Sequence, residues 1–426
     1  MKKIKLYDTT LRDGAQSSSV SFSLEDKLKI AKKLSEIDIH YIEGGWPGSN
    51  PKDISFFKEV KNLNLGKSKI AAFTSTRRAK TKAEEDISLK KSLEAQVSVI
   101  TIFGKSWKLH VTDILKTTTE ENLKMIEESV RFFKSKNKEV IYDAEHFFDG
   151  FKGNSDYALK TLKAAFKGGA DCIVLCDTNG GTLTSEVISI VKKVKQEIKC
   201  ELGIHTHNDN GMAVANSIIA VENGVTHIQG TINGLGERCG NADLISVIPN
   251  LQLKMGIQCI TKEDLSKLTE LSLYVDEIAN LMPLRNRPFV GDSAFAHKGG
   301  MHIDAVKKNT VSFEHIDPLL VGNKRKFLAS ELSGKSTIFI KAKELGIPLE
   351  GKDKEVIDLL NKLKILENEG YHFEAAEASL ELLMKRNFSK YKKFFSLEGY
   401  NINVSMRNDK LFSEATIRVK VDGKEA

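Results

Sequence analysis

The feature that most constrains the fold is an alternation, repeated eight times within residues 1–260, between a short β-branched run and an amphipathic helical stretch. Strands that alternate with helices in this way lie parallel in one sheet. Eight such units are what a closed (β/α)8 TIM barrel requires. In chain order, the strand candidates are Ile4–Tyr7, Tyr41–Gly44, Ile70–Phe73, Val97–Phe103, Val140–Glu145, Cys172–Cys176, Leu202–His207 and Thr226–Ile232.

An open, doubly wound parallel sheet is the alternative α/β arrangement. No Gly-x-Gly-x-x-Gly turn follows the first strand candidate, and polar residues follow nearly every strand instead of clustering at one switch point. Both observations favour the closed barrel.

The chain beyond the barrel divides into three further segments. Residues 261–325 begin with a helical pattern and continue into a Pro- and Gly-bearing linker, and residues 326–396 are mainly helical. Residues 397–426 contain a strand-like alternation at 415–421. One or two strands are not stable alone in water, so this last segment is expected to be the shortened start of a further domain.

Charge and cysteine usage exclude several classes of protein. Lys and Arg number 64 against 57 Asp and Glu, but the two signs interleave, as in residues 80–86, so nucleic-acid binding is not expected. The sequence has neither a long apolar run nor an apolar signal-peptide region. The five cysteines form no Cys-x-x-Cys pair and are expected to be reduced, as in a cytoplasmic protein without membrane contact.

A pair of histidines marks the end of the seventh strand candidate. Because side chains alternate along a strand, His205 and His207 project from the same face. Asp13 follows the first strand and Asn241 the eighth, and strands 7, 8 and 1 are neighbours in a closed barrel whose active site lies where the strands end. The four side chains predict a mixed nitrogen and oxygen site for a divalent ion such as Zn, Mn, Co or Mg.

Three more polar residues lie near strand ends. Arg12 precedes Asp13 and can place its guanidinium on a developing oxyanion, although a surface ion pair is the alternative. Glu145 and Thr178 end strands 5 and 6, where isolated polar residues more often cap helices or stabilise turns. The pattern alone leaves their roles open.

Several motifs together resemble the isopropylmalate, homocitrate and citramalate synthase family, metal-dependent barrel enzymes that condense acetyl-CoA with a 2-oxo acid. The matching segments are 11–16, 203–216, 234–241 and 297–302. Segments 42–51 and 142–150 are most similar to the citramalate synthase branch.

The resemblance implies a role for each candidate residue. Arg12 and Thr178 would hold the oxo acid, and Glu145 would orient the reacting groups. His302, from the linker subdomain 261–325, would act in the active site of the partner subunit of a homodimer. The implied metal ligands are Asp13, His205, His207 and Asn241.

The implied reaction is an acyl transfer that forms (R)-citramalate and CoA from pyruvate and acetyl-CoA, on a route to isoleucine. His302 is the expected base, because neutral imidazole has a pKa near working pH, and Glu145 would support it. Trp46, Phe103 and Tyr142 are expected to line the substrate pocket and fill the space of a branched oxo acid, with ordinary core packing as the alternative.

Three rival functions remain open at this point. The first is an isopropylmalate synthase that uses 2-oxoisovalerate, and the second is a retro-Claisen or aldol lyase on a related metal barrel. The third is a metal-binding interaction protein without catalysis. The intact set of chemically reactive residues disfavours the third, since a scaffold has no need for it.

Two positions depart from the family pattern. Relatives often carry a tyrosine where this chain has Phe313, so a phenolic hydroxyl is not available there. Residues 397–426 resemble the start of a regulatory domain that binds isoleucine, yet they are too few to bury a core. We expect this segment to be loosely packed and the 426-residue chain to lack isoleucine feedback.

Overall fold

Eight parallel strands close into a barrel in the computed structural model of the chain, which describes residues 4–330, 332–349, 351–374, 376–388, 391 and 393–425. Each strand pairs with the next along the chain, and the last pairs in parallel with the first, so the sheet has no edge. The predicted TIM barrel is confirmed, and the open sheet is wrong. The strands are β1 (Lys5–Asp8), β2 (Tyr41–Gly45), β3 (Lys69–Ser75), β4 (Val99–Lys105), β5 (Glu139–Glu145), β6 (Cys172–Asp177), β7 (Glu201–Thr206) and β8 (His227–Gly230).

Helices surround the barrel, and six of those listed below begin at a capping side chain that the sequence supplies. At the first helix, Ser23 Oγ accepts a hydrogen bond from the Asp26 N–H at 3.2 Å, and Asp26 Oδ2 accepts one from the Ser23 N–H at 2.8 Å. This reciprocal arrangement satisfies two backbone donors that the helix itself cannot. The helices are α1 (Leu24–Ser35), α2 (Pro51–Glu59), α3 (Ile87–Glu94), α4 (Thr119–Lys134), α5 (Phe147–Gly153), α6 (Ser155–Gly168), α7 (Thr184–Glu197), α8 (Ala213–Glu222) and α9 (Leu244–Pro249).

The alternation of side chains along each strand separates an outer core from the barrel interior. On β5, Val140, Tyr142 and Ala144 pack in the large core between strands and helices. Ile141 instead belongs to a smaller interior cluster, so Asp143 and Glu145, two and four residues on, share its face. The members of the interior cluster are Tyr7, Tyr41, Ala71, Val99, Ile141, Cys172, Val174 and Cys176.

The described residues divide by their contacts into two units. The first runs to Phe295 and includes residues 315–325, and the second consists of residues 296–314 and the chain from Lys326 on. The first unit continues past the barrel as α10 (Lys262–Leu265) and α11 (Leu268–Ile278), where the helical pattern at the start of residues 261–325 was expected. The boundaries at residues 260, 325 and 396 stay predictions.

The second unit has a hydrophobic core of its own, formed by three helices and the segments beside them. Its last part is an antiparallel sheet of two long strands and a short third one, and apolar side chains of the long strands are exposed, with Tyr400 and Leu411 each 70% exposed. Predicted segments 326–396 and 397–426 include residues outside the described ones, namely Glu331, Glu350, Ala375, Ser389, Lys390, Lys392 and Ala426. The elements are β9 (Ala296–His297), α12 (Gly300–Lys308), β10 (Lys326–Phe327), α13 (Lys335–Glu344), α14 (Asp353–Asn368), α15 (Glu377–Phe388), β11 (Ser396–Arg407), β12 (Lys410–Val421) and β13 (Lys424–Glu425).

No helix within the described ranges has the length and apolar character needed to cross a membrane. The five cysteines are free thiols, three of them buried.

Candidate active site

Asp13, His205 and His207 lie together at the carboxyl ends of the strands. His205 lies on β7 with His207 directly after that strand, and Asp13 follows β1. The Nε2 atoms of the two imidazoles are 3.3 Å apart, and Asp13 Oδ2 is 3.4 Å from His205 Nε2 and 3.8 Å from His207 Nε2. All three side chains are buried and form a group that could hold a metal ion. The structure therefore brings together three of the four predicted ligands.

The hydrogen bonds of His205 direct one of its nitrogen lone pairs into this cluster. His205 Nδ1 lies 2.9 Å from Gln229 Oε1, and Gln229 Nε2 donates to Asp143 Oδ1 at 2.9 Å. Because the amide oxygen of Gln229 can only accept, His205 donates from Nδ1. In the neutral imidazole, Nε2 then presents its lone pair to Asp13 and His207. Hydrogen-bond partners of metal-bound histidines fix the tautomer of the ring in the same way.

The pKa shifts of the cluster describe a site that attracts positive charge. Burial and the neighbouring His205 lower the pKa of His207 to about 3, so this imidazole is neutral near pH 7. Burial alone would raise the pKa of Asp13, but the positive charge of the neighbouring Arg12 outweighs it and holds that pKa well below its usual range. A neutral imidazole and an ionised carboxylate are the protonation states that bind divalent ions.

Asn241 lies beside the cluster in the glycine-rich loop that follows β8. It forms an isolated β-bridge with His207, and its Nδ2 donates to Leu235 O at 3.1 Å. Asn241 Oδ1 is buried and has no hydrogen-bond partner among the described residues. A buried carbonyl oxygen without a partner is costly, and a metal ion would satisfy it.

The loop reaches this position because of its glycines. Gly240 has a φ of +86°, and a Cβ there would come within 1.9 Å of Gly234 O. Gly236 has a φ of +155°, and a Cβ there would come within 2.1 Å of Asn241 Nδ2. Only glycine fits such close backbone approaches.

Arg12 is fixed by a buried carboxylate that sequence reasoning missed. Arg12 Nε donates to Glu43 Oε2 at 2.7 Å, and its Nη1 lies 3.2 Å from Asp13 Oδ2. Glu43, on β2, is fully buried and also accepts from the Tyr7 hydroxyl at 2.8 Å. The signal in the sequence is a charged residue inside a buried strand, which is rare without a partner.

A cavity of about 250 Å³ is lined in part by Asp13, His205 and His207, the candidate metal-ligand cluster. One of its walls is aromatic. Trp46 meets Phe103 edge to face, Phe73 stacks on Phe103 at 5.1 Å, and the Arg12 guanidinium lies 3.9 Å from the centroid of Phe73. The lining residues are Arg12, Asp13, Gln16, Trp46, Phe73, Phe103, Asp143, Glu145, Cys176, Thr178, His205, His207, Glu237 and Arg238.

Tyr142 does not reach this cavity, which corrects its predicted contact with substrate. Its side chain is fully buried in the core between the strands and the helices. Successive residues of a strand point to opposite faces, so the cavity position on β5 belongs to Asp143. Trp46 and Phe103, predicted with Tyr142, do line the cavity.

Glu145 and Thr178 line the cavity at the ends of β5 and β6. Thr178 Oγ1 accepts from the His146 N–H at 2.9 Å, and Thr178 O accepts from Arg238 Nη2 at 2.7 Å. Glu145 forms an ion pair with Lys105, the residue paired with it in register on β4. Sequence reasoning missed Lys105, whose signal is a lysine ending a strand beside a strand that ends in glutamate.

His302 lies on α12 in the second unit. Its ring stacks on Phe313, with centroids 4.2 Å apart. The contact with His302 is therefore made by the aromatic face of Phe313, which has no hydroxyl group.

Comparison with known proteins places the chain in a family. Residues 3–275 match the family described as HMGL-like, and residues 289–370 match the homocitrate synthase post-HMGL domain-like family. Among solved structures, the HMG-CoA lyase of Brucella melitensis shares the fold, with a TM-score of 0.55 and 15% identity over 66% of this chain and all of that one.

Curated relatives match over nearly the whole chain. The (R)-citramalate synthases of Aquifex aeolicus and Geobacter sulfurreducens are 56% and 54% identical over 100% of this chain and 81% of their own length. The 2-isopropylmalate synthase of Methanocaldococcus jannaschii is 32% identical over 99% of this chain and 78% of its own. The chain therefore belongs to the HMGL-like family and, within it, to the isopropylmalate, homocitrate and citramalate synthases that its motifs resemble.

Proposed function

We propose that the chain is an acyl-transferring enzyme that condenses acetyl-CoA with pyruvate and releases (R)-citramalate and CoA. The observation that carries the proposal is the difference in identity between two groups of relatives. Five (R)-citramalate synthases are 42–56% identical to the chain, whereas isopropylmalate synthases are 31–32% identical. No observation favours the lyase or the non-catalytic alternative.

A divalent ion fits the ligand set. The buried Asn241 Oδ1 without a partner and the close approach of Asp13, His205 and His207 support these four residues as its ligands. Such an ion, when bound, supplies Lewis-acid polarisation of the oxo group of pyruvate.

Arg12 is proposed to hold the oxo acid and the negative charge that develops on its oxo oxygen. Glu43 and Asp13 fix the guanidinium, so the charge is in place before the reaction and costs little reorganisation. Thr178, whose hydroxyl already accepts from His146, would donate its O–H to the oxo acid.

His302 is proposed to take a proton from the methyl group of acetyl-CoA, with Glu145 orienting the thioester. The C–H electron pair then forms the new bond to C2 of pyruvate, and the oxo oxygen gains a proton. Water cleaves the citramalyl thioester and releases (R)-citramalate and CoA. His302 would reach the barrel of the partner subunit in a homodimer.

The aromatic wall supports pyruvate over a branched oxo acid. Trp46, Phe73 and Phe103 occupy one side of a cavity of only about 250 Å³. A methyl group and an isopropyl group differ by enough volume for such a wall to discriminate them by roughly 10- to 200-fold per methylene. The pathway to isoleucine and a cytoplasmic location are part of the same proposal.

The test is an assay of CoA release with a panel of 2-oxo acids. With a divalent ion present, we expect pyruvate to give the highest kcat/KM and the product to be (R)-citramalate by chiral chromatography. A higher kcat/KM for 2-oxoisovalerate would make the chain an isopropylmalate synthase, and no CoA release with any oxo acid would refute condensation altogether.

A further inference from the structure

Lys105 places an ammonium group against two residues that line the cavity, Phe103 and Glu145. It is the last residue of β4, and its side chain is only 16% exposed. The ammonium lies 5.6 Å from the centroid of Phe103, whose ring lines the cavity, and it pairs with Glu145, which also lines it. Its backbone is held as well, since Asn122 Nδ2 donates to Lys105 O at 2.9 Å.

The order of strands puts this ion pair across the barrel from the metal-ligand cluster. Asp13 and Asn241 follow β1 and β8, and the histidines end β7, whereas Lys105 and Glu145 end β4 and β5. An oxo acid held at the cluster therefore has the lysine and glutamate on its far side. A second substrate that reacts on that side of the oxo acid would meet both residues.

Two cations line the cavity, and both have other contacts: Arg12 is proposed to hold the oxo acid, and Arg238 contacts protein oxygen atoms. Arg12 contacts Glu43 and Asp13. Arg238 contacts both carboxylate oxygens of Asp209 and the carbonyl of Thr178. Within the described part of the chain, Glu145 is the one carboxylate paired with Lys105. An ammonium has three N–H groups, so two remain for a ligand.

The condensation needs a second cationic or donor group besides those on the oxo acid. When the methyl of acetyl-CoA loses its proton to the base, the C–H pair becomes a C=C bond and the thioester oxygen becomes negatively charged. An enolate of this kind is stabilised by a donor fixed in a poorly solvated site. Arg12 and the metal ligands face the oxo acid, so they do not meet this need.

We propose that the Lys105 ammonium binds the thioester oxygen of acetyl-CoA and stabilises the enolate that forms there. Glu145 holds the ammonium in position, and Phe103 supports it from the side. As the enolate carbon bonds to C2 of pyruvate, the thioester carbonyl re-forms and the negative charge moves to the former oxo oxygen of pyruvate. This inference rests on the proposed condensation.

The test compares Lys105→Met and Lys105→Gln with the wild-type protein, loaded with Mn²⁺. We expect both variants to lower kcat/KM for acetyl-CoA by about 100-fold, the loss typical of one oxyanion donor. The KM for pyruvate and the bound Mn²⁺ should not change. The primary isotope effect with trideuterated acetyl-CoA should rise, because enolate formation becomes more rate-limiting. Lys105→Arg, which keeps a cation, should recover much of the activity.

Lys108→Met is the matched control, since Lys108 is exposed three residues further on and its loss changes net charge equally. It should leave both the rate and the isotope effect at wild-type values. Variant rates within about threefold of wild type would overturn the inference. So would a large loss with an unchanged isotope effect and a raised KM for pyruvate. A wild-type protein that releases no CoA would instead refute the proposed function.

Discussion

The charges of individual buried residues explain why a bound cation would stabilise the cluster at the end of β7. One guanidinium, that of Arg12, faces two buried carboxylates, Glu43 and Asp13. The remaining negative charge is expensive in a poorly solvated interior unless another cation offsets it. The Nε2 atoms of His205 and His207 lie 3.3 Å apart beside Asp13, so a divalent ion bound there would offset the charge and take both imidazoles as ligands.

Replacing His207 tests this explanation directly. His207→Ala removes a neutral imidazole ligand, and we expect Mn²⁺ affinity to fall by about 100-fold or more, with turnover lost in parallel. Isothermal titration of chelator-treated protein measures the affinity. His227→Ala, which removes a buried histidine of the neighbouring strand away from the ligands, should not weaken binding. Unchanged Mn²⁺ affinity in His207→Ala would rule out this cluster as the metal site.

The aromatic wall makes a second prediction at the residue scale. Trp46→Ala opens the cavity beside Phe103, and we expect the ratio of kcat/KM for 2-oxoisovalerate to that for pyruvate to rise about tenfold or more. Tyr142→Phe is the control, because Tyr142 lies on the helix side of β5 and should leave the ratio unchanged. A shift in the control, or none in Trp46→Ala, would contradict the described pocket.

At the scale of elements, sequence periodicity predicted the strands well but not which face each residue takes. The strands lie within about two residues of the predicted ranges because β-branched runs bounded by turns mark them clearly. Periodicity leaves open which of Tyr142 and Asp143 points inward, because both neighbours are plausible and a one-residue shift exchanges the faces. The proposed ligands His205 and His207 were easier to predict. They are two residues apart, so they share a face of the strand whether that face points inward or outward.

Contacts between strands distant in sequence could not be read from the pattern. Glu43 reaches Arg12 from β2, and Gln229 connects His205 to Asp143 from β8. Each pairing depends on barrel closure and on side-chain direction, which a single strand does not encode. The residue types of the candidate metal cluster were predictable from the sequence, whereas the residues that orient them were not.

The strand β8 carries a buried histidine that makes stability depend on pH. His227 packs against Tyr7 and Tyr41, and burial, with Lys5 and His40 nearby, lowers its pKa to about 3. Its Nε2 is buried, and the described residues offer it no hydrogen-bond partner. The folded state therefore resists protonation where the unfolded chain, with a pKa near 6.5, accepts a proton.

The direction of this pH dependence follows from the lowered pKa of His227 in the folded state. The stability due to neutral His227 is complete above about pH 6.5 and is lost as pH falls towards 3. From pH 7.5 to 5.0, we expect the wild type to lose about 2 kcal/mol more unfolding free energy than His227→Asn. Urea unfolding at both pH values measures this difference. Buried Asp8 and Asp143 are present in both proteins, so their contributions cancel. Equal losses would show that His227 does not titrate as described.

At the scale of the whole molecule, the two compact units each have a separate hydrophobic core. The barrel core runs from Ile4 to Val321, and the core of the second unit runs from Ala329 to Phe388. Units with separate cores need not unfold together, since each buries its own apolar surface. The proposed metal ligands all belong to the first unit.

We therefore expect two unfolding transitions, and we expect added Mn²⁺ to shift the midpoint of only one of them. Both tryptophans, Trp46 and Trp107, lie in the barrel, so their fluorescence reports that unit, whereas far-UV circular dichroism also reports α13, α14 and α15. Mn²⁺ at about 100 times its Kd should stabilise the barrel by about 2.7 kcal/mol and shift the fluorescence midpoint, because it binds the folded state of that unit alone. The part of the dichroism change that tryptophan does not report should keep its midpoint. His207→Ala should lose the fluorescence shift while keeping both transitions, and a shift of both transitions by Mn²⁺ would show that the two units unfold as one.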